Sequence, residues 1–153
     1  MPTVTLYQPM NMATAQTWIG SIIGTTSTEI TISDGFNTGV YSGLFFNSPD
    51  GLGPQGTVTG YTQYSGAGLT KAYEATGLSL DPSSVLIANF SNQLQTLFQN
   101  ALSGNDTIVG SLGNDVIQAY GGDDFIRGGG GSLDAIDGGS GTNTALYSGS
   151  AAY

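Results

Sequence analysis

The sequence predicts a mainly β protein in three parts: a small antiparallel β domain over 1–80, a linking α-helix over 81–103, and a run of short repeated strands over 104–153. Three observations predict it. Apolar and polar residues alternate between glycine turns over 28–80, an amphipathic stretch follows Asp81-Pro82, and an acid recurs every nine or ten residues in the last third. With 153 residues the chain is long enough for one ordinary domain or two small ones.

In the first part, Thr3–Tyr7 reads as a strand. Met12–Ile23 fits either a short helix or a strand, because Trp18, Ile19, Ile22 and Ile23 suit helical spacing while Thr and Gly weaken it. Then come Thr28–Ser33, an Asp34-Gly35 turn, Val40–Phe46, the Pro49–Pro54 loop, Gly56–Tyr64, a Ser65–Gly68 turn and Leu69–Ala75. Thr, Val, Tyr and Phe between short turns make an antiparallel meander. Asp81 is placed as an N-cap with Pro82 in the first turn, and Leu86, Phe90, Leu94, Leu97, Phe98 and Ala101 share one face up to Gly104. That face is expected to pack on the sheet and on the first turn of the repeat, covering its open edge.

Composition excludes much chemistry. The chain has no Cys and no His, so disulfides, Cys–His and Ser–His–Asp arrangements and imidazole metal sites are absent. Two basic residues, Lys71 and Arg127, stand against eleven acids, a net charge of −9. That balance repels phosphate backbones and anionic bilayers, so neither nucleic acid nor membrane insertion is expected. No apolar run reaches the roughly 18 residues of a membrane span, and Met1-Pro2-Thr3 does not open a cleavable signal peptide. Trp18, Tyr41, Phe45, Phe46, Tyr61, Tyr64 and Tyr73 could form a sugar-stacking surface, but strand aromatics are more often core or cross-strand pairs. Glu29 and Glu74 read as solvated strand residues rather than a glycosidase pair, and nothing supports a Ser–Lys dyad at Lys71. An enzyme is not expected.

The last third carries the chemistry. Thirteen of the 25 glycines lie between Gly104 and Gly149, and six acids (Asp106, Asp115, Asp123, Asp124, Asp134, Asp137) lie there too. Such a composition alone suggests a solvated tail. Periodicity argues otherwise: Asp106, Asp115, Asp124 and Asp134 are each followed two residues later by Ile108, Ile117, Ile126 and Ile136, and Asn143 with Ala145 closes the series. This is the pattern G-G-x-G-x-D-x-U-x, with U a large aliphatic residue. A glycine-rich loop bends so that carbonyl oxygens and a carboxylate converge, and x-U-x then forms a short strand with one residue inward.

On these residues, 101–146 resembles the repeats-in-toxin (RTX), or haemolysin-type calcium-binding, family. The resemblance implies a short calcium-binding parallel β-roll in which two units make one turn, and Ca²⁺ sits between loops n and n+2. Asp106, Asp124 and the Asn143 loop then share one edge, and Asp115 with Asp134 the other. The implied ligands are the side chains of Asp106, Asp115, Asp124, Asp134 and Asn143, with oxygens from loop residues Gly104, Gly113, Gly121, Asp123, Gly130, Gly139 and Gly141. Asp123 and Asp137 are expected as carbonyl donors or solvated side chains rather than primary carboxylate ligands. Calcium suits a set made only of carboxylate and carbonyl oxygens. Departures from the pattern at Ala101-Leu102, Ser111, Ala119-Tyr120, Ser132 and Asn143 lead to an expectation of two or three ions. One isoleucine per unit is a thin core for a glycine-rich segment, so folding is expected to be coupled to calcium.

Export without an amino-terminal signal is what the resemblance implies, through a type I route with a carboxy-terminal signal, although only ten residues follow Asn143. The expected location is therefore secreted, extracellular or at the cell surface. Two functions are in view. In one, the chain is a structural subunit that self-associates head to tail into a filament or surface layer, because the Ala145, Leu146 and Tyr147 end of the repeat is open. In the other, it is a calcium-triggered folding and secretion module of a larger RTX adhesin or exoenzyme. A sugar-binding adhesin, with cell-surface polysaccharide as partner, is a third reading.

Overall fold

The computed structural model describes residues 1–15, 18–47, 54–90 and 94–147; for residues 86 and 88–90 only the backbone is described. The protein is mainly β, with half of its residues in strands, and is dominated by one large mixed sheet. Its elements are β1 (Thr3–Leu6), β2 (Ser21–Thr25), β3 (Glu29–Ser33), β4 (Asn37–Asn47), β5 (Pro54–Ser65), β6 (Thr70–Leu80), α1 (Pro82–Phe90), α2 (Leu94–Ala101), and five three-residue strands. Those are β7 (Thr107–Val109), β8 (Val116–Gln118), β9 (Phe125–Arg127), β10 (Ala135–Asp137) and β11 (Thr144–Leu146).

Strands β2 to β6 form the antiparallel meander, each paired with the next. Alternation puts Ile30 and Ile32, then Tyr41 and Phe45, then Val58, then Tyr73 and Ala75 on the buried face. Tyr61 stacks between Tyr41 (4.5 Å between ring centroids) and Tyr73 (5.5 Å), and Tyr73 meets Phe98 of α2 edge-on at 6.4 Å. Most of these aromatics thus belong to the core and its cross-strand pairs, while Phe46 is exposed. Glu29 is exposed, and Lys71 pairs with Glu74 at 3.2 Å while lying over the Tyr7 ring.

Within the ambiguous Met12–Ile23 stretch, the described residues contain no helix. Ser21–Thr25 is a strand, the outermost of the sheet, and Trp18 packs against the core. Asp81 caps α1 as expected, its Oδ1 accepting the Ser84 N–H at 3.0 Å. Of the helix expected over 81–103, the described residues are helical at Pro82–Phe90 (α1) and Leu94–Ala101 (α2); residues 91–93 lie outside them. Leu94 and Phe98 are buried and Leu97 and Ala101 half-buried, whereas the side chains of Leu86 and Phe90, and most of the Pro49–Pro54 loop, lie outside the described residues. Among the described residues no helix is long and apolar enough to cross a membrane.

The repeated strands continue the same sheet. The order is β11-β9-β7-β1-β6-β5-β4-β3-β2, with β1 antiparallel to β6 but parallel to β7, and β7, β9 and β11 parallel to one another. Strands β8 and β10 form a second parallel ladder. Ile108, Ile117 and Ile126 are fully buried between the ladders and Ile136 is half-buried. The edge of the first repeat is covered by the amino-terminal segment rather than by a helix. Thr3, Val4 and Thr5 pair with Thr107, Ile108 and Val109, and Asn11 bridges Val116. Val4 and Met12, both buried, flank Ile108 and Ile117, so residues 3–12 trace an extra coil with a shorter step than the repeat. Helix α2 reaches this region through Gln95, which donates to Met12 O (2.7 Å) and accepts from the Tyr120 hydroxyl (3.0 Å).

Candidate metal centre

Each acid of the repeat sits at the end of a loop, immediately before a strand, and successive loops are tied by side-chain to backbone hydrogen bonds between units n and n+2. Asp124 Oδ1 accepts the Asp106 N–H (2.9 Å), Asn143 Oδ1 accepts the Asp124 N–H (2.9 Å), and on the opposite edge Asp134 Oδ1 accepts the Asp115 N–H (3.0 Å). The structure therefore brings Asp106, Asp124 and Asn143 together on one edge and Asp115 with Asp134 on the other.

The side chains differ in what they touch. Asp106 is completely buried, and among the described residues neither of its carboxylate oxygens has a hydrogen-bond partner; Asp124 Oδ2 is also buried without one. Buried carboxylate oxygens without donors are costly, because the charge has left water without gaining a hydrogen bond in exchange. Burial, reinforced by the neighbouring Asp124 charge and opposed by the positive amino terminus of Met1, pushes the Asp106 carboxyl up to about 6. Burial also raises Asp124, against the lowering effect of the Asp106 N–H that it accepts. Asp115 is equally buried, but both of its oxygens have donors: Oδ1 accepts the Met10 N–H (2.7 Å), and Oδ2 accepts the Ser111 N–H (2.7 Å) and Ser111 hydroxyl (2.9 Å).

The loops also differ in shape. Second and fourth loop positions are left-handed at Tyr120 and Gly122, Gly129 and Gly131, and Gly139 and Gly141, but not in the loops that lead to Asp106 and Asp115. Tyr120 holds this conformation (φ 65°) despite its Cβ, with its hydroxyl anchored to Gln95 and Gln118. Gly122 lies so close to the Gly104 carbonyl that a Cβ there would overlap it, which brings the first and third loops together beneath Asp106 and Asp124.

Sequence reasoning missed a second ladder one residue before the acids. Asn105 Oδ1 accepts the Asp123 N–H (2.9 Å), Asn114 Oδ1 accepts from Ser132 and Leu133, and Asp123 Oδ1 accepts the Thr142 N–H (2.7 Å). The signal was there: Asn or Asp precedes the acid at 105, 114 and 123. Asp137, exposed, accepts the Gly139 N–H. Among the described residues no three acidic side chains converge on one point. An ion held by Asp106 and Asp124 would draw its remaining ligands from loop carbonyls, a hard, all-oxygen set that fits calcium.

Residues 100–132 match the family model of the RTX calcium-binding nonapeptide repeat, in four copies, a stretch well under half of the chain. These residues are RTX repeats. Past the matched stretch the spacing continues through Asp134 and Asn143, and the short strands run on to Leu146. Comparisons with curated proteins and with solved structures returned no match.

Proposed function

We propose that the RTX repeats of this chain, with the strands that continue them to Leu146, are a calcium-folded parallel β-roll. The chain is then a secreted, extracellular protein, exported by a type I route. The observation that carries this reading is Asp106, fully buried with two carboxylate oxygens that no described donor serves. Calcium, when bound, supplies the positive charge that offsets two adjacent carboxylates. The chain's own residues do the rest. Asp106 and Asp124 present oxygens from two loops held in register by the Asp106 N–H, and Gly122 allows those loops to meet. Low calcium inside a cell leaves the carboxylates repelling and the segment loose for passage; millimolar calcium outside closes the loops.

The role that fits best is a structural subunit assembling head to tail, without catalysis. Support comes from the two ends of the nine-stranded sheet. Strand β2 is exposed throughout, with Ile22 and Ile23 in water, and β11 is exposed, with Leu146 at its end and Tyr147 just after it. The pairings from β1 through β6, β5, β4 and β3 to β2 are all antiparallel, so β2 runs opposite to β11. A next copy in the same orientation would offer β2 to β11 as an antiparallel partner, and the contact would propagate. The test is circular dichroism and electron microscopy of the full chain with calcium and with chelator. Strand signal gained on calcium addition, with fibres or sheets that dissolve in chelator, is the expected result. A chain unchanged by calcium removes the proposal, and a calcium-folded monomer removes its assembly part in favour of a carrier module.

A further inference from the structure

By spacing, three pairs of loops stand ready for an ion: those of Asp106 and Asp124, of Asp124 and Asn143, and of Asp115 and Asp134. Their chemistry is unequal. At Asp115, three donors from Met10 and Ser111 already occupy both oxygens. In the last loop the Asn143 amide donates to Gly138 O (2.7 Å) and Gly139 O (3.4 Å), so an N–H₂ group serves carbonyls that a cation would otherwise draw on. At Asp106 and Asp124, three buried oxygens have no donor among the described residues.

The register explains the difference. Within the repeat, three side chains accept the backbone N–H of the equivalent residue one turn earlier: Asp124 from Asp106, Asp134 from Asp115, and Asn143 from Asp124. The amino-terminal segment extends this ladder upward. Val116 N–H donates to Met10 O and Thr107 N–H to Pro2 O, which places Met10 one turn above Asp115 and Pro2 one turn above Asp106. Met10 has an N–H and gives it to Asp115. Pro2, within the chain, has none to give.

On the calcium reading above, we infer that this chain binds one calcium ion tightly, between Asp106 and Asp124. Its own donors close the other two positions to metal: Met10 and Ser111 at Asp115, and the Asn143 amide in the last loop. The edge carrying Asp115 and Asp134 is then held by protein alone, and the metal-dependent step of folding is confined to the opposite edge.

Calcium titration calorimetry on the full chain tests this. The unmodified chain is expected to take up one ion. Asp106→Asn should weaken that uptake by roughly 100-fold or more, since one of two charged ligands is lost. Asp115→Asn should retain one ion, with affinity changed by no more than about threefold for a site on the other edge. Asn143→Asp replaces the amide donor with a carboxylate and should raise the count to two. Two or more equivalent ions in the unmodified chain, loss of an ion in Asp115→Asn, or a count that stays at one in Asn143→Asp overturns the inference while leaving the calcium reading standing. No uptake at all by the unmodified chain sinks that reading itself. Should Asp106→Asn not fold, crystals of the unmodified chain grown in calcium decide: an ion only at Asp106 supports the inference, and one at Asp115 overturns it.

Discussion

The antiparallel half and the repeat half of this sheet are built to different standards. Between β3 and β6 the buried face carries Ile30, Ile32, Tyr41, Phe45, Val58 and Tyr73, with α1 and α2 packed above it. In the repeat the core is a single file of isoleucines, and it thins with distance from the amino-terminal segment. Ile108, Ile117 and Ile126 are fully buried, Ile136 is half-buried, and Ala145, which takes the same place in β11, is small and exposed. Stability in the repeat is therefore borrowed from one end, where Val4 and Met12 supply a foundation, and each turn rests on the one before.

The sharpest way to break this comparison is to cut the file at two depths. Ile117→Ala leaves a cavity in a filled layer and should cost about 2–5 kcal/mol, whereas Ile136→Ala should cost less than about 1.5 kcal/mol because its site is already part-solvated. Urea unfolding of dilute protein in calcium measures both. Equal costs would mean that the last turn is covered in solution, and a concentration-dependent cost at Ile136 would identify the cover as a second copy.

How much of this was legible in the sequence follows from how local each signal is. The acid and isoleucine period placed Asp106, Asp115, Asp124 and Asn143 on their edges, because the period itself sets how many residues make one turn. The Asp34-Gly35 turn, where Asp34 Oδ1 accepts from Phe36 and Asn37, and the Asp81 cap were equally readable for the same reason. The pairing of Val4 with Ile108 was not readable, since a four-residue strand carries no mark of a partner a hundred positions away. Met10 is the clearest case: an apolar side chain whose contribution to Asp115 is its backbone N–H, which every residue except proline possesses.

The next effect concerns pH and separates the two edges. Burial raises Asp106 to about 6 in the folded protein, above its ordinary carboxylate value, and raises Asp124 in the same direction. A carboxyl whose folded value is raised contributes stability that is complete below its unfolded value and is lost as pH climbs through the folded one. Calcium-free protein should therefore become less stable between about pH 4 and 6 and stay lower at pH 7. Calcium needs the deprotonated form, so its stabilisation should grow over the same window. Melting temperatures at pH 4, 5, 6 and 7, in calcium-depleted and in calcium-containing buffer, should diverge with rising pH. Parallel curves would mean that Asp106 is not where the metal acts. In Asp106→Asn the divergence should shrink.

The smallest expected effect lies away from the repeat. Asp81→Ala removes the acceptor for the Ser84 N–H at the start of α1 and should cost about 1 kcal/mol, the usual worth of an N-cap. Helix α1 packs on β5 and α2, and the link onward to the repeat runs through α2, where Gln95 joins Met12 to Tyr120. If the antiparallel half is the foundation and the repeat its dependent, the loss should be the same with and without calcium. A loss that doubles in chelator would instead mean that strain at the helix start reaches the loops through Gln95, and Gln95→Ala should then abolish the difference.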